Sequence, residues 1–259
     1  MAEGPQKGDG ETGKVVLIGA GPGAADLITV RGARLLAQAD VVLYDALVTE
    51  EMLALAPQAE KIYVGKRCGQ RSTDQKHINH LLVECAGKYA LTVRLKGGDP
   101  MLFGRADEEL SALEAHGISV DIVPGITTAL AAAASSQQPL TRRGVARSVA
   151  FFTSSTAPGE TDEVAMPNCD TLVQYMGGRE AIATARRLLA LGRSPATPVV
   201  IVENCSRPDE TVLYLDLANL EKGLSSRTGP VLVMIGEALA RRRHAEQPSL
   251  ATPGKEKIA

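Results

Sequence analysis

Tryptophan is absent from this 259-residue chain, and three Phe and five Tyr bring its aromatic content to only 3%. A nucleic-acid surface built by stacking bases on rings has little to draw on. Neither sign of charge is in excess: 28 Lys and Arg face 30 Asp and Glu, for a formal net charge of -2. That balance argues against a general polyanion binder but leaves room for a locally basic cleft. The four cysteines, Cys68, Cys85, Cys169 and Cys205, are far apart and form no C-x-x-C pair. Reduced thiols in a cytoplasmic protein are therefore expected, not a disulfide framework. No apolar run approaches the ~18 residues of a membrane span, and the opening MAEGPQKGDGETG lacks the apolar centre of a signal peptide. Histidine is scarce too. His77 and His80 share a helical face with no Cys or acidic partner to complete a metal site. Phosphate-binding P-loop, G-x-S-x-G and H-E-x-x-H signatures are all missing, which removes the hydrolase and metalloprotease classes.

What the chain does have is alternation. From Lys14, short β-branched runs (KVVLIG, DVVLYD, KIYVG, ALTVRLKG, ISVDIVP) alternate with helical stretches. The helices are TVRGARLLAQA, DQKHINHLLVECAGK, ADEELSALEAHG and ITTALAAAASS, and such alternation predicts a parallel sheet covered by helices. QQPLTRRGVARS breaks the rhythm, and a second series follows: VAFFTSS, TLVQYMG, a helix over 179–191, PVVIVEN, TVLYLDL and GPVLVMIG. The fold class expected is α/β, with two α/β domains in series and the active site in the cleft between them. Residues 1–13 read as a disordered lead-in, 14–136 and 137–243 as the two domains, and 244–259 as a flexible tail, with the boundary near Ser135 to Pro139.

The most informative stretch is RLKGGDPMLFGR, residues 94–105. Gly97 and Gly98 let a ligand approach the backbone, Asp99 offers a carboxylate that only accepts, and Pro100 stops the strand. Arg94, Lys96 and Arg105 flank this floor as basic groups. A competing signal lies earlier. Gly19, Gly21 and Ala24 fit the G-x-G-x-x-G/A dinucleotide fingerprint, and Asp45 ends the second strand where a ribose-binding acid would sit. An NAD- or FAD-dependent oxidoreductase is thus the rival reading. Pro22 and Gly23 weaken it by placing a turn where the helix should open, with the helical pattern starting only near Thr29. No histidine in the second half stands ready for hydride chemistry.

The ordered set VLIGAGPG, ADVVLYDALV, VGKRCGQRSTDQKHINHLLV, VRLKGGDPMLFGR, VPGITTA, PLTRR, TLVQYMG, PVVIVEN and GPVLVMIGEAL resembles the tetrapyrrole methylase family, from about Lys14 to Ala240. RLKGGDP followed by FGR favours the members that act on uroporphyrinogen III over the later corrin-ring methylases. The resemblance implies two α/β domains, usually as a homodimer, with S-adenosylmethionine in the cleft and S-adenosylhomocysteine as its product. The implied reaction methylates uroporphyrinogen III twice, giving precorrin-2 for sirohaem or cobalamin-type tetrapyrroles. It involves no metal, nucleic acid or membrane. Nothing in the chain's length suggests an added dehydrogenase and chelatase domain, so the methyltransferase alone is expected. A cofactor-binding regulator of the same fold that performs no turnover is the third reading.

Carried over residue by residue, the resemblance places Pro22, Gly97, Gly98, Asp99, Leu102, Thr127, Thr128, Met176 and Cys205 at the cofactor. The two threonines could equally cap the helix after Pro124-Gly125, and Met176 could equally be core. A polycarboxylate substrate calls for cations, and Arg67, Arg71, Arg105, Arg142, Arg143 and Arg147 are the candidate clamps. Asp45 matches the position of a proton acceptor and Lys66 that of a donor, with Arg105 and Glu108 as a competing pair. Arginine is a poor base, so Arg105 is assigned to substrate and Asp45 to the proton. The chain departs from the family pattern at Ala24, where aspartate is commoner, at Ala106-Asp107 in place of two glycines, at Ser154-Ser155 and at Cys205, where glycine is commoner.

Overall fold

Two runs of aliphatic and β-branched residues set the first half. In the computed structural model, which describes residues 13–65, 75–154, 165–223 and 229–240, they become β1 (Lys14–Gly19) and β2 (Val41–Tyr44). With β3 (Glu60–Tyr63), β4 (Leu91–Lys96) and β5 (Val120–Val123) they form one sheet in the order β3-β2-β4-β1-β5. Every pairing in it is parallel. Such a sheet must be covered on both faces, which is why its strands read as continuous apolar runs. Val16 and Ile18 of β1 pack with Leu36, Met52 and Leu53, from or beside α1 (Val30–Leu36) and α2 (Glu50–Leu53). Val15 and Leu17 point the other way, to Ile78 and Leu82 of α3 (Gln75–Lys88) and Leu113 of α4 (Ala106–Glu114).

The second sheet runs β6 (Val149–Thr153), β7 (Thr171–Tyr175), β10 (Val231–Ile235), β8 (Pro198–Glu203), β9 (Thr211–Asp216), in that spatial order. Here the simple parallel pattern stops. Only β6 and β7 are parallel; β7–β10, β10–β8 and β8–β9 are antiparallel. The reason is local: β8 and β9 are joined by the short segment 204–210 with no crossover helix, which only an antiparallel pair permits. One face is covered by α6 (Gly177–Ala190) and α7 (Leu217–Lys222). Helix α6 starts two residues before the expected 179, because Gly177 and Gly178 face Val233 and Val231 of β10. A side chain at Gly177 would lie 2.7 Å from Val233 Cγ2, so tight packing outweighs glycine's low helix propensity. The other face is covered by α5 (Thr128–Ser135), whose Ala129 and Ala132 pack with Val173, Val200, Leu232 and Met234. This alanine-rich helix precedes the Ser135–Pro139 stretch in sequence yet packs on the second sheet.

At the carboxyl ends of β1, β4 and β5, three glycine backbones cross. A Cβ on Gly125 would lie 2.2 Å from the Gly98 carbonyl oxygen and 2.8 Å from Gly19 Cα. Because the neighbours are backbone, none can swing aside. Gly125→Ala is accordingly expected to cost about 3 kcal/mol, as for overpacking with forced backbone shifts, read as a lower urea midpoint at unchanged slope.

Candidate active site

The glycine-rich turn after β1 is tied to the loop after β4. Gly21 N–H donates to Gly98 O at 3.1 Å, and Gly98 N–H returns a bond to Gly21 O at 2.7 Å. Its amides therefore serve loop-to-loop pairing. The helix that a dinucleotide site needs directly behind this turn is displaced: a 3-10 turn occupies Ala25–Leu27, and α1 begins only at Val30, capped by Thr29 Oγ1 accepting from Gly32 N–H at 3.1 Å. The helix that follows the turn therefore does not open behind it, and the pyrophosphate cradle of the rival reading is not built there.

Between the two sheets these loops border a cavity of about 370 Å³, a small-ligand size. All nine residues expected at the cofactor line it, as do Asp45 and Arg105. They come from both halves of the chain: the loops after β1, β2, β4 and β5 on one side, and those after β7 and β8 on the other. Apolar Leu47, Leu102, Val231 and Leu232 share the wall with polar groups. Backbone strain gathers here too. Phe103, Arg105 and Met176 on the wall, and Asn204 and Ser206 on either side of Cys205, hold left-handed φ angles between 53° and 60°. Non-glycine residues keep such angles only where surrounding contacts over-determine them, a frequent property of binding sites.

Asp99 is not the free acceptor that its place in the loop suggests. Its Oδ2 accepts from Gly125 N–H at 2.9 Å and its Oδ1 from Met101 N–H at 2.8 Å. One carboxylate thereby fastens the β4 loop to the segment entering α5. Thr127 occupies the N-cap position of α5, yet its side chain does not cap the helix. Its Oγ1 pairs with the Tyr175 hydroxyl at 2.5 Å, and that hydroxyl accepts from Ala129 N–H at 3.2 Å. Tyr175, at the end of β7, thus takes the place of the threonine cap left open as the alternative, and burial pushes its phenol upward in pKa. Its ring meets Phe103 across the cleft at 5.1 Å between centroids. Cys205 is buried against the cavity, and burial, then the nearby Glu210 charge, pushes its thiol up to about 12. It remains a neutral, apolar wall.

Asp45 lies just past β2, with Oδ1 accepting from Leu47 N–H at 2.9 Å and Oδ2 3.5 Å from the Arg94 guanidinium. Arg94 and Lys96, expected as basic groups flanking the loop, do line the cavity. Both are buried, and both pair with Glu109, whose side chain is 0% exposed: Arg94 Nε to Oε1 at 3.1 Å and Lys96 Nζ to Oε2 at 2.7 Å. Burial, reinforced by the charge of Arg94, draws the Lys96 ammonium below its usual pKa. Arg105, half-exposed, grips Glu108 with both ends of its fork at 2.6 and 2.8 Å. Glu108 itself does not line the cavity. Nor do Arg142, Arg143 and Arg147, all exposed on the segment leading to β6. Lys66, Arg67 and Arg71 lie outside the described residues. Sequence reasoning passed over Glu109, Tyr175, Phe103 and Arg207. Arg207 lines the cavity and reaches across it to donate to Leu47 O at 3.0 Å.

Comparison with known proteins gives the family and the fold. The family model of the tetrapyrrole (corrin/porphyrin) methylases matches residues 14–221. Siroheme synthase 2 of Yersinia pestis is 45% identical over 231 residues, covering 88% of this chain and 49% of the relative. The chain spans about half the length of the curated relatives it matches. Among solved structures, uroporphyrin-III C-methyl transferase from Thermus thermophilus, complexed with S-adenosylhomocysteine, superposes with a TM-score of 0.76 at 40% identity, covering 88% of this chain and 94% of that one. The cobalt precorrin-4 methyltransferase CbiF superposes with a TM-score of 0.74 at 29% identity, covering 88% of this chain and 96% of that one.

Proposed function

The chain belongs to the tetrapyrrole (corrin/porphyrin) methylases, and from that membership we propose that it is an S-adenosylmethionine-dependent C-methyltransferase acting twice on uroporphyrinogen III, at C2 and C7, to give precorrin-2 by way of precorrin-1. The observation that carries the reading is convergence: nine residues expected at the cofactor, scattered from Pro22 to Cys205, meet on one cavity. The cavity suits the cofactor chemically. It offers apolar and thioether surface, threonine hydroxyls, and a carboxylate with acceptor capacity left after its two backbone bonds. S-adenosylmethionine supplies a methyl group activated by its sulfonium.

The chain's own task is to place an electron-rich pyrrole carbon in line with that methyl group and to accept the proton lost afterwards. Asp45 is the base in this reading, its carboxylate held at the cavity by Leu47 N–H and Arg94. Arg105 at the rim pairs with a substrate carboxylate. Lys66 is the proposed proton donor, and Arg67, Arg71, Arg142, Arg143 and Arg147 would act only on the outer parts of the substrate. The active form in this proposal is a homodimer in the cytoplasm. Anaerobic incubation with S-adenosylmethionine and uroporphyrinogen III, followed by mass analysis, is expected to yield a tetrapyrrole carrying two added methyl groups. A single addition would overturn the two-step reaction and direct attention to Ala106-Asp107 beside Arg105. No addition would overturn the substrate assignment.

A further inference from the structure

Glu109 is the most deeply buried charge described in the molecule, and the proposed reaction does not use it. It sits in the first turn of α4 with a side-chain exposure of 0%, yet contacts two cations from β4 at once, Arg94 at 3.1 Å and Lys96 at 2.7 Å. Gln75 of α3 adds its side-chain amide to Oε1 at 3.4 Å. Each cation has a second obligation. Arg94 reaches on to Asp45 Oδ2 and also donates to Leu95 O at 3.1 Å. Lys96 donates to Gly104 O at 2.6 Å, the carbonyl immediately before Arg105. Arg105 holds a left-handed φ of 54° at the amino terminus of α4, so fixing Gly104 fixes the direction in which Arg105 leaves the backbone.

We propose that Glu109 is the positioning residue of the active site, holding Arg94 on Asp45 and Lys96 on Gly104 so that the base and the rim arginine keep their relative placement. The inference rests on the reading of Asp45 and Arg105 given above. Charge supports it. Arg94, Lys96 and Glu109 sum to +1, and the partly exposed Asp45 carboxylate brings the group to zero. An unpaired carboxylate at Glu109's depth would be prohibitive, whereas one shared by two cations is sustainable. Charged groups sharing the cavity with Asp45 come from several elements: Arg94 and Lys96 on β4, Asp99 in the next loop, Arg105 at the start of α4, and Arg207 across the cleft.

The test is Glu109→Gln, which keeps shape and removes the charge. S-adenosylhomocysteine affinity is expected to stay within about threefold, while kcat for methylation falls at least about thirtyfold, less than the roughly 10²–10⁴-fold that a positioned proton acceptor itself contributes. Because Glu109 acts through Asp45 in this reading, adding Glu109→Gln to Asp45→Asn is expected to lower kcat by less than about threefold further. If Glu109→Gln lowers kcat by the same factor in the Asp45→Asn background as in wild type, Glu109 merely holds α4 to the sheet and the proposal is overturned. A parallel loss of cofactor affinity overturns it equally. Should the single variant fail to fold, the charge-balanced pair Glu109→Gln with Lys96→Met is expected to fold, bind cofactor and still turn over poorly. Wild-type turnover there would overturn the inference. Wild-type protein in the same assay separates the two levels: an inactive wild type refutes the proposed reaction, whereas an active wild type with an unaffected variant refutes the role of Glu109.

Discussion

Asp99→Ala is expected to lose S-adenosylhomocysteine binding by about two orders of magnitude or more in a calorimetric titration. The carboxylate accepts from Met101 N–H and Gly125 N–H, and bonds to an ionised acceptor contribute about 1.5–3 kcal/mol each. Deleting them leaves two backbone donors without their acceptor and cuts the tie between the β4 loop and the entrance to α5. Thr127 and Thr128 follow Gly125 directly and line the same cavity, so their placement loosens as well. A ligand must then impose the order that the loop held in advance, and that cost is subtracted from affinity. About 3 kcal/mol corresponds to about a hundredfold in Kd. Asp99→Asn keeps one accepting oxygen but presents its NH2 group to the other amide, so an intermediate loss is expected. Near-normal affinity in the alanine variant would move the cofactor away from this loop.

For Asp45→Asn the expectation is the reverse: cofactor affinity within about threefold of wild type, with kcat reduced about 10²–10⁴-fold, the usual contribution of a positioned proton acceptor. The amide can still accept from Leu47 N–H, as Asp45 Oδ1 does, so the turn after β2 keeps its shape. What is lost is basicity and the ion pair to Arg94. Single-turnover measurement of methyl gain, beside a titration with S-adenosylhomocysteine, reads the two quantities separately. Unchanged methylation rates would assign the proton step to another group, with Lys66 and Glu108 next in turn.

The strands of both sheets were legible because β-branched runs bounded by Gly, Pro and Asp leave little alternative. The late start of α1 at Val30 was legible from Pro22-Gly23 and Thr29. Strand direction in the second half was not, since an apolar strand carries no mark of orientation and only the missing helix between β8 and β9 betrays the reversal. The cofactor loops stood out through Gly-Gly-Asp-Pro chemistry. The layer beneath them did not: Arg94 and Lys96 beside a ligand loop look like surface cations, and Glu109 looks like a favourable first-turn acid. Thr92, Arg94 and Lys96 share one face of β4, and that face is buried. A strand enclosed on both sides can carry such a row only if an acid on a neighbouring helix answers it, and ADEEL was the place to look. Tyr175 escaped notice because a cap supplied by a residue far along the chain leaves no local trace.

Helix α5 has a consequence for how the molecule comes apart. Its alanines complete the core of the second sheet, while the residues entering it are bound through Gly125 to Asp99 in the first. Dividing the chain near residue 136 would leave Val173, Val200, Leu232 and Met234 facing water on one fragment, and a helix with no surface to rest on attached to the other. Neither fragment would be a self-sufficient folding unit. Denaturation of the intact chain should then proceed as one cooperative event in which neither half outlives the other.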